Sequence, residues 1–376
     1  MRQYGRILWG LAWGCCAAGT ALGQGDLAVY DTFVRLSPAV FSISVEIPKE
    51  YILKRYEEST KRLREYQESY IDTVTSSTGT VLNYNLIETL VEQWGRQLEV
   101  LKNQMLTNNR VRGAGFAVDP HHLVTLSTVV KSATLGGEIM ILNDNNQPVA
   151  KAVLQGIDTM TGIAVLQSNN TTFSTFVNLD RSPTQLPVAS YIMTIQRPYD
   201  LPTSPFSGMI GGYGRHLKLF ELERFIQADI PLYPGNEGAP VFSPSGQLIG
   251  MMATEFHIGR WPGVAFIIPA EIVADSAEGI IRDGKREHGW IAGLALKPWV
   301  SGVLIEEIDQ NSVARSAGLC EGDIIVGFNG DRVNNNPWDL VYRILKTKPN
   351  EQIKFQIQRG NSMMDVVVET VVRKEQ

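Results

Sequence analysis

A long succession of short apolar runs, each interrupted by Gly, Pro, Asn or Asp, restricts this chain to a small set of folds. The succession extends from Arg112 to about Val273, and no helical periodicity interrupts most of it. Such runs are typical of an antiparallel barrel or sandwich. The candidate strands are Gly115–Val118, His122–Leu126, Glu138–Leu142, Ala150–Ile157, Ile163–Gln167, Tyr191–Gln196, Phe225–Ala228, Gln247–Met252 and Val264–Ile267. The fold class is therefore mainly β.

The 376 residues allow two or three domains at the usual domain size. Upstream, Val40–Val45 alternates apolar and small polar residues, which predicts an additional first strand. A helical pattern over Ala270–Arg282 closes the β-rich segment. The residues from His288 onward begin again with strands and contain one helical stretch near Pro337–Lys346. We therefore predict one domain over 24–287 and a smaller one over 288–376.

The first 23 residues have the order of a secretory signal. Arg2 and Arg6 precede the apolar run Ile7–Ala18, and small residues follow. An uncleaved membrane anchor and lipidation at Cys15 or Cys16 remain alternatives. We therefore expect an exported protein of the periplasm or cell envelope. After cleavage only Cys320 remains, so no intramolecular disulfide can form.

Residues 49–110 differ in character from the strands on either side, because eighteen of these 62 residues are charged. Two apolar stripes recur at heptad spacing and predict two helices. The first stripe comprises Ile52, Tyr56, Leu63, Tyr66 and Tyr70, and the second comprises Ile87, Val91, Trp94, Leu98, Leu101 and Met105. The stripes would bury each other in a projecting antiparallel hairpin. A helix pair lying flat on the neighbouring sheet is the alternative.

Particular residues of the β-rich segment then indicate a family. In order and spacing they resemble the high-temperature-requirement (HtrA) family of exported serine proteases. The matching motifs are Gly113-Ala114-Gly115-Phe116, Leu123-Val124-Thr125, Gly156–Leu166, Gln227-Ala228-Asp229, Gly235-Asn236-Glu237-Gly238-Ala239-Pro240 and Phe266-Ile267-Ile268-Pro269. The resemblance implies a chymotrypsin-like double β-barrel followed by a PDZ domain. The helical insertion then occupies the position of a long regulatory loop.

The C-terminal domain resembles bacterial PDZ domains closely. Its motifs are Ser301-Gly302-Val303-Leu304-Ile305, Asn311-Ser312-Val313-Ala314, Ala317-Gly318-Leu319, Glu321-Gly322-Asp323-Ile324-Ile325 and Asn329-Gly330. PDZ domains bind an extended peptide as an added strand and hold its terminal carboxylate with backbone amides. We expect Ala292, Gly293 and Leu294 to line the carboxylate pocket. Val341 and Ile344 are expected to shape its apolar side, with ordinary core packing as the alternative for each.

The catalytic residues that the resemblance implies are missing. A protease of this fold needs a serine nucleophile, an imidazole base and a carboxylate that orients the imidazole. The position of the histidine is Thr128, the position of the aspartate is Gly162, and the position of the serine is Glu237. Loss of all three groups predicts a pseudoprotease with negligible turnover. An active enzyme with a relocated Ser–His pair, drawing on His121, His122, His216 or His257, stays open because catalytic geometry cannot be read from sequence.

Glu237 allows two interpretations. Its carboxylate folds toward the backbone amide of Gly235 and fills the oxyanion hole, or it faces solvent from a loop kept for its shape. In the first case the Glu237 side chain would block the oxyanion hole of its own loop, which consists of Gly235, Asn236 and Glu237.

Cofactor binding is not indicated. His121 and His122 are adjacent on an extended segment, so their side chains point to opposite faces, which disfavours a shared metal. No zinc-type spacing, nucleotide loop or calcium loop occurs elsewhere. The net charge of −5 also disfavours non-specific nucleic-acid binding.

These observations predict an exported HtrA-like pseudoprotease that binds peptide or protein C-termini and unfolded segments of envelope proteins. Its role would be chaperone-like or scaffolding, and an active HtrA-type protease is a further candidate partner. The family resemblance implies a homotrimer formed through Asp26–Leu36, which contains Tyr30 and Phe33. The alternatives are an active serine endopeptidase and a mainly structural role of residues 49–110.

Overall fold

The computed structural model describes residues 24–78, 84–180, 186–197, 201–217, 219–220, 222–253 and 263–373. The predicted signal segment 1–23, with Cys15 and Cys16, lies outside these residues, and so does His257. The chain separates into two compact units. The first comprises Met1–Ile157, Gly162–Arg215 and Phe225–Ala277, and the second comprises Asp158–Thr161, His216–Arg224 and Glu278–Gln376. Among the described residues, no helix has the length and apolar character needed to cross a membrane.

The first unit begins with helix α1 and then forms a closed antiparallel barrel in the order β1-β2-β3-β6-β5-β4. The elements are α1 (Gln24–Leu36), β1 (Val40–Glu46), β2 (Arg110–Ala117), β3 (His122–Leu126), β4 (Ile139–Leu142), β5 (Pro148–Asp158) and β6 (Ile163–Ser168). Its interior holds Ile43, Phe116, Leu123, Leu126, Ile141, Ile163 and Leu166, all fully buried. Burying each such side chain contributes about 1.5–3 kcal/mol.

A second closed barrel of the same unit has the order β10-β11-β12-β9-β8-β7. Its strands are β7 (Tyr191–Gln196), β8 (Ser204–Arg215), β9 (Phe225–Ala228), β10 (Pro240–Phe242), β11 (Leu248–Met252) and β12 (Ala265–Pro269). The sequence did not indicate β8 or β10. Glycines conceal the alternation of β8, and at Gly208 the fold leaves little room for a side chain, because a Cβ there would lie 3.0 Å from the backbone nitrogen of Ile230. Strand β10 is only three residues long.

The insertion forms two helices, α2 (Lys49–Thr78) and α3 (Tyr84–Thr107), which pack against each other. Ile52 is buried at the base of α2, and the Lys102 ammonium lies 4.4 Å from the centre of the Tyr56 ring. The second heptad stripe is only partly covered. Val91 and Leu98 are half-buried, whereas Trp94, Leu101 and Met105 are 44%, 53% and 42% exposed. The prediction that the two stripes bury each other is therefore wrong for this half of the second stripe.

Short helix α4 (Ser127–Val130) follows β3, and α5 (Ala270–Asp283) follows β12 close to the predicted bounds. The second unit contains a two-stranded sheet, β13-β20, and a larger sheet in the order β14-β15-β16-β18-β19, with β17 paired to β16. Its elements are β13 (Gly289–Trp290), β14 (Leu294–Trp299), β15 (Gly302–Ile308), α6 (Val313–Ser316), β16 (Ile324–Phe328), β17 (Asp331–Arg332), α7 (Pro337–Leu345), β18 (Gln352–Arg359), β19 (Ser362–Glu369) and β20 (Val371–Val372).

Two polar pairs in the second unit each contain a buried carboxylate. The carboxylate of Asp323 is fully buried and accepts from Arg359, with Nε to Oδ1 at 2.7 Å; this hydrogen bond raises the pKa of Arg359. The imidazole of His288 lies with Nε2 2.9 Å from Asp158 Oδ2 and with Nδ1 2.7 Å from the carbonyl oxygen of Leu345. Both members of the Asp158–His288 pair are buried, so removing either one leaves the other uncompensated, which costs about 3–5 kcal/mol.

Candidate functional site

Helix α4 carries Thr128, the residue that we predict at the histidine position of a protease. Thr125, at the end of β3, is buried and its hydroxyl donates to the carbonyl oxygen of Ala114 at 2.7 Å. The chain then enters α4, where Thr128 lies on the first helical turn. The Thr128 hydroxyl is buried, and within the described part of the chain it has no hydrogen-bond partner. A threonine cannot act as a base near neutral pH.

The aspartate position contains backbone alone. Gly162 has φ +74°, a conformation that glycine adopts at little cost, and the buried strand β6 begins at the next residue. Its carbonyl oxygen accepts the N–H of Ser127 at 2.8 Å, so the start of α4 is held beside it. The structure therefore brings Gly162, the residue that we predict at the aspartate position, close to the start of the helix that carries Thr128.

The loop that would carry the nucleophile packs against the first barrel. Gly235 and Gly238 have φ +89° and +87°. The carbonyl oxygen of Glu237 accepts the N–H of Ala114 at 2.8 Å. A Cβ on Gly238 would lie 2.3 Å from the carbonyl oxygen of Ala114 and 2.9 Å from the Thr125 hydroxyl, so only glycine fits there. The loop thus reaches β2 and β3, next to α4.

The Glu237 side chain turns back into its own loop. It is 8% exposed, and its Oε2 accepts the N–H of Gly235 at 3.1 Å. In trypsin-like sites the oxyanion hole is formed by the amides of the nucleophile and of the residue two positions before it. Gly235 and Glu237 are the residues that we predict at those positions. The Glu237 carboxylate is bound by the Gly235 amide, so it is not a solvent-facing side chain.

Asn236 is also buried within this loop. It is fully inaccessible, and its Nδ2 donates to Gln196 Oε1 at 2.6 Å. Gln196 ends β7, and sequence reasoning did not single it out because no motif marks it. The contact anchors the loop to the second barrel, so both barrels hold it in place.

None of the four histidines that the structure describes binds a hydroxyl. His122 Nδ1 lies 2.7 Å from Asp119 Oδ2, and both nitrogens of His288 are engaged as described above. Asp119 also accepts the backbone N–H groups of His121 and His122, so it caps a turn. Burial by itself would raise the pKa of the Asp119 carboxyl, but these hydrogen bonds and the nearby imidazole hold it below its usual value. His216 stacks near Trp338, with ring centres 6.0 Å apart.

The predicted carboxylate-binding loop lies at the start of β14. Ala292 is exposed, and Gly293 has φ +77° with its carbonyl oxygen accepting the N–H of Asp309 at 2.9 Å. A Cβ on Gly293 would lie 2.7 Å from Asp309 Cβ. Leu294 begins β14 and pairs with Ile308 of β15. Asp309 was missed by sequence reasoning, since only the fold brings it against Gly293.

Strand β14 has a free edge. It is the terminal strand of its sheet, and among the described residues only β15 pairs with it. Leu294 and Leu296 are half-buried against the core of the unit. Helix α7 packs beside β14. Val341 of this helix is half-buried, whereas Ile344 is 3% exposed inside the core, so Ile344 supports this region from beneath its surface.

Metal binding has no structural support within the described ranges, where no three His, Cys, Asp or Glu side chains are grouped closely enough to hold an ion.

Two closed six-stranded barrels that hold a glycine-rich loop between them, followed by a sheet with a free edge strand, define a trypsin-like peptidase fold joined to a PDZ domain. Comparison with known families agrees: residues 113–251 match the trypsin-like peptidase domain, and residues 282–370 match the PDZ domain. The fold class predicted from the sequence is confirmed. This is the domain order and fold of the HtrA-type proteases.

Curated relatives of the chain include proteins named probable periplasmic serine endoprotease DegP-like. The protein from Rhizobium meliloti is 27% identical over 274 residues, which cover 69% of this chain and 53% of the relative. The protein from Halomonas elongata is 30% identical over 275 residues, which cover 69% of this chain and 56% of the relative. The chain thus spans about half the length of the curated relatives it matches.

Solved structures share the fold over nearly the whole chain. The HtrA-type protease AlgW with a tripeptide is 18% identical, with a TM-score of 0.66, and the match covers 93% of this chain and 98% of that one. The serine endoprotease from Yersinia pestis is 20% identical, with a TM-score of 0.58, and the match covers 92% of this chain and 98% of that one.

Proposed function

We propose that this chain is an exported HtrA-like pseudoprotease that binds peptide tails or unfolded segments of envelope proteins without cleaving them. The observation that carries the proposal is the hydrogen bond from the Gly235 N–H to the Glu237 carboxylate at 3.1 Å. A negatively charged group held at this amide opposes the negative oxygen that develops during acyl transfer. The relatives named periplasmic support a periplasmic location.

The side chains around this loop support the absence of turnover. Attack on a peptide bond requires a nucleophile and a base that removes its proton. Thr128 and Gly162 supply neither an imidazole nor a carboxylate at the positions that the fold provides. Without a triad, the remaining binding groups of such a site give a rate only about 10³–10⁴ above water.

The free edge of β14 supports peptide binding. An added strand pairs with main-chain N–H and C=O groups, so this mode of binding needs no catalytic side chain. Gly293 has the backbone conformation that lets Ala292 and Leu294 flank a tight loop. Half-buried Leu294, Leu296 and Val341 offer an apolar surface for the peptide side chains.

Helix α1 supports the homotrimer implied by the resemblance. Thr32 and Arg35 donate to the carbonyl oxygens of Pro244 and Ser245, which fixes one face of α1 on the second barrel. Leu27, Tyr30 and Val34 are 46%, 63% and 51% exposed at helical spacing. Such an apolar stripe fits contact with another copy, and an active HtrA-type protease is a further candidate partner.

The test is a paired measurement on the mature full-length chain. We expect no cleavage of labelled casein, no covalent adduct with a serine-directed fluorophosphonate probe, and saturable binding of peptides that carry a free C-terminus. The same peptides with an amidated C-terminus are the control and should bind at least tenfold more weakly. Stoichiometric probe labelling that disappears when one serine is replaced would instead establish an active endopeptidase, the activity in the names of the relatives.

A further inference from the structure

The chain segment that leads into the predicted carboxylate-binding loop is tied to the C-terminal end of helix α7. His288 stands just before β13, and its Nδ1 lies 2.7 Å from the carbonyl oxygen of Leu345, the last residue of α7. A carbonyl oxygen can only accept a hydrogen bond, so Nδ1 carries a hydrogen and donates it. The loop and the helix, which we expect to form two sides of the peptide groove, are therefore joined at this end by one side chain.

Gly289 strengthens this joint through its backbone. Its N–H donates to the carbonyl oxygen of Thr347 at 2.9 Å, and a Cβ on Gly289 would lie 2.9 Å from the carbonyl oxygen of Lys348. The close approach leaves little room for a side chain, so glycine lets the chain pass against the segment that follows α7. Two residues later Ile291 is buried in the core of the unit. The loop thus starts from a point that is held on two sides.

Asp158 fixes the orientation of the His288 ring. Its two carboxylate oxygens lie 3.0 and 2.9 Å from His288 Nε2. One of these oxygens also accepts the N–H of Met160 at 3.0 Å, so the carboxylate is itself held in place. In a histidine, the hydrogen bond made by one ring nitrogen sets the state and the direction of the other. The contact with Asp158 therefore keeps Nδ1 aimed at the carbonyl oxygen of Leu345.

The pair cannot touch a bound peptide, because the side chains of His288 and Asp158 are only 2% and 1% exposed. Nor is a buried ion pair good evidence for stability, since well-packed hydrophobic residues of similar volume often stabilise a fold equally well. What a fully hydrogen-bonded buried polar group does provide is one defined arrangement of the segments that it joins. Here those segments are the start of the loop and the end of α7.

We propose that His288 is a positioning residue of the peptide groove, which holds the loop with Ala292, Gly293 and Leu294 against the end of α7 and thereby sets the affinity for a terminal carboxylate. The proposal rests on the proposed function, because it concerns the same groove. Backbone amides bind a carboxylate tightly only when they already converge before it arrives. Strand addition along β14 does not need this convergence, so a loosened loop weakens recognition of the C-terminus more than it weakens strand pairing.

Two substitutions separate the two ends of the ring. The amide nitrogen of Asn lies near the position of Nδ1 and that of Gln lies near the position of Nε2, so His288→Asn keeps a donor for Leu345 and His288→Gln keeps a donor for Asp158. We expect His288→Gln to weaken binding of free-C-terminus peptides at least about fivefold and binding of amidated peptides less than about twofold. His288→Asn should retain most of the wild-type preference for a free C-terminus. Fluorescence anisotropy on the full-length chain is the measurement.

Urea unfolding distinguishes positioning from a merely structural role. His288→Asn leaves the buried Asp158 carboxylate without its partner, so it should lower the urea midpoint more than His288→Gln does. Stability and peptide preference are thus expected to rank the two variants in opposite orders, and the same order in both measurements would overturn the proposal. If His288→Asn does not fold, the double variant Asp158→Asn, His288→Asn takes its place, because it removes the unpaired charge.

Amide hydrogen exchange tests the joint without any peptide. The N–H groups of Gly289 and Asp309 donate to Thr347 and to Gly293 of the loop. In His288→Gln these two amides should exchange at least about tenfold faster than in the wild type, whereas the amides inside β18 should exchange at the wild-type rate. Unchanged exchange at Gly289 and Asp309 would overturn the proposal. A wild-type chain that binds no free-C-terminus peptide would instead contradict the proposed function, and the exchange result would still decide whether His288 positions the loop.

Discussion

The glycine-rich loop at Glu237 and the edge strand β14 are the two candidate peptide sites of this chain. They differ in the chemical groups on which each site depends. Cleavage depends on three side chains, and Thr128, Gly162 and Glu237, which we predict at their positions, are none of the three that a triad needs. Strand addition depends on backbone groups, and β14 has a free edge beside the left-handed Gly293. The comparison teaches that substitutions at three positions are enough to remove side-chain chemistry from a fold, whereas main-chain recognition does not depend on those side chains.

The largest expected effect comes from rebuilding the triad. We expect Thr128→His, Gly162→Asp and Glu237→Ser together to raise casein cleavage at least about 10³-fold, because a full triad contributes roughly 10⁶ in kcat. The gain should fall short of that figure because φ +74° at position 162 strains an aspartate. Cleavage of a labelled casein by the purified full-length chain is the measurement.

A matched control isolates the nucleophile in this experiment. The variant with Thr128→His, Gly162→Asp and Glu237→Ala carries the same backbone strain and also opens the oxyanion loop, but it has no hydroxyl to attack. It should be as inactive as the wild-type chain. If a stably folded triple variant cleaved no faster than this control, the backbone at the three positions would not be that of a protease.

The next effect concerns the PDZ side of the comparison. We expect Gly293→Val to weaken binding of free-C-terminus peptides at least tenfold, because a β-branched residue is strained at φ +77° and its Cβ would collide with Asp309. Gly360→Val is the control, since Gly360 also has a left-handed backbone but lies in the turn between β18 and β19, where a Cβ would meet no atom within 4 Å. Fluorescence anisotropy of labelled peptides is the measurement. Equal affinities for the two variants would show that the terminal carboxylate is held elsewhere.

Both sides of this comparison rest on features that sequence could indicate in part. The motifs around Gly113, Gly235 and Gly302 were sufficient for the double barrel and the PDZ domain. Glycine is favoured there for different reasons: Gly302 approaches the backbone of Ile325, Gly235 has φ +89°, and a Cβ on Gly113 would collide with Val129. Strand β8 was missed because its glycines remove the alternation that marks a strand. The positions of the glycines thus indicated the fold, but the glycines of β8 concealed one of its strands.

Side-chain placement was harder to foresee. The sequence left two alternatives for Glu237, and only the folded loop brings its carboxylate to the Gly235 amide. Contacts between residues far apart in the chain gave no local signal: Gln196 holds Asn236, and Asp309 packs against Gly293. The second heptad stripe was assigned wholly to the hairpin interface because a 3.5-residue repeat does not say which of two adjacent columns a single partner helix covers.

The smallest expected effect tests whether the first barrel retains part of a triad. Asp119 and His122 form an Asp–His pair, but the hydrogen bonds of Asp119 indicate a turn cap.

Because the folded-state pKa of Asp119 lies below 3.8, its ionised form stabilises the fold above that pH, and this contribution is lost as the pH falls through the folded-state pKa. We therefore expect Asp119→Asn to lower the urea midpoint slightly at pH 7, and we expect the difference from the wild type to shrink as the pH falls below 3.8. The uncharged Asn145→Gln on an exposed turn is the control and should leave the urea midpoint unchanged at pH 7 and below pH 3.8. If Asp119→Asn instead abolished a measurable peptidase activity while leaving the urea midpoint unchanged, the pair would be catalytic and the chain would not be a pseudoprotease.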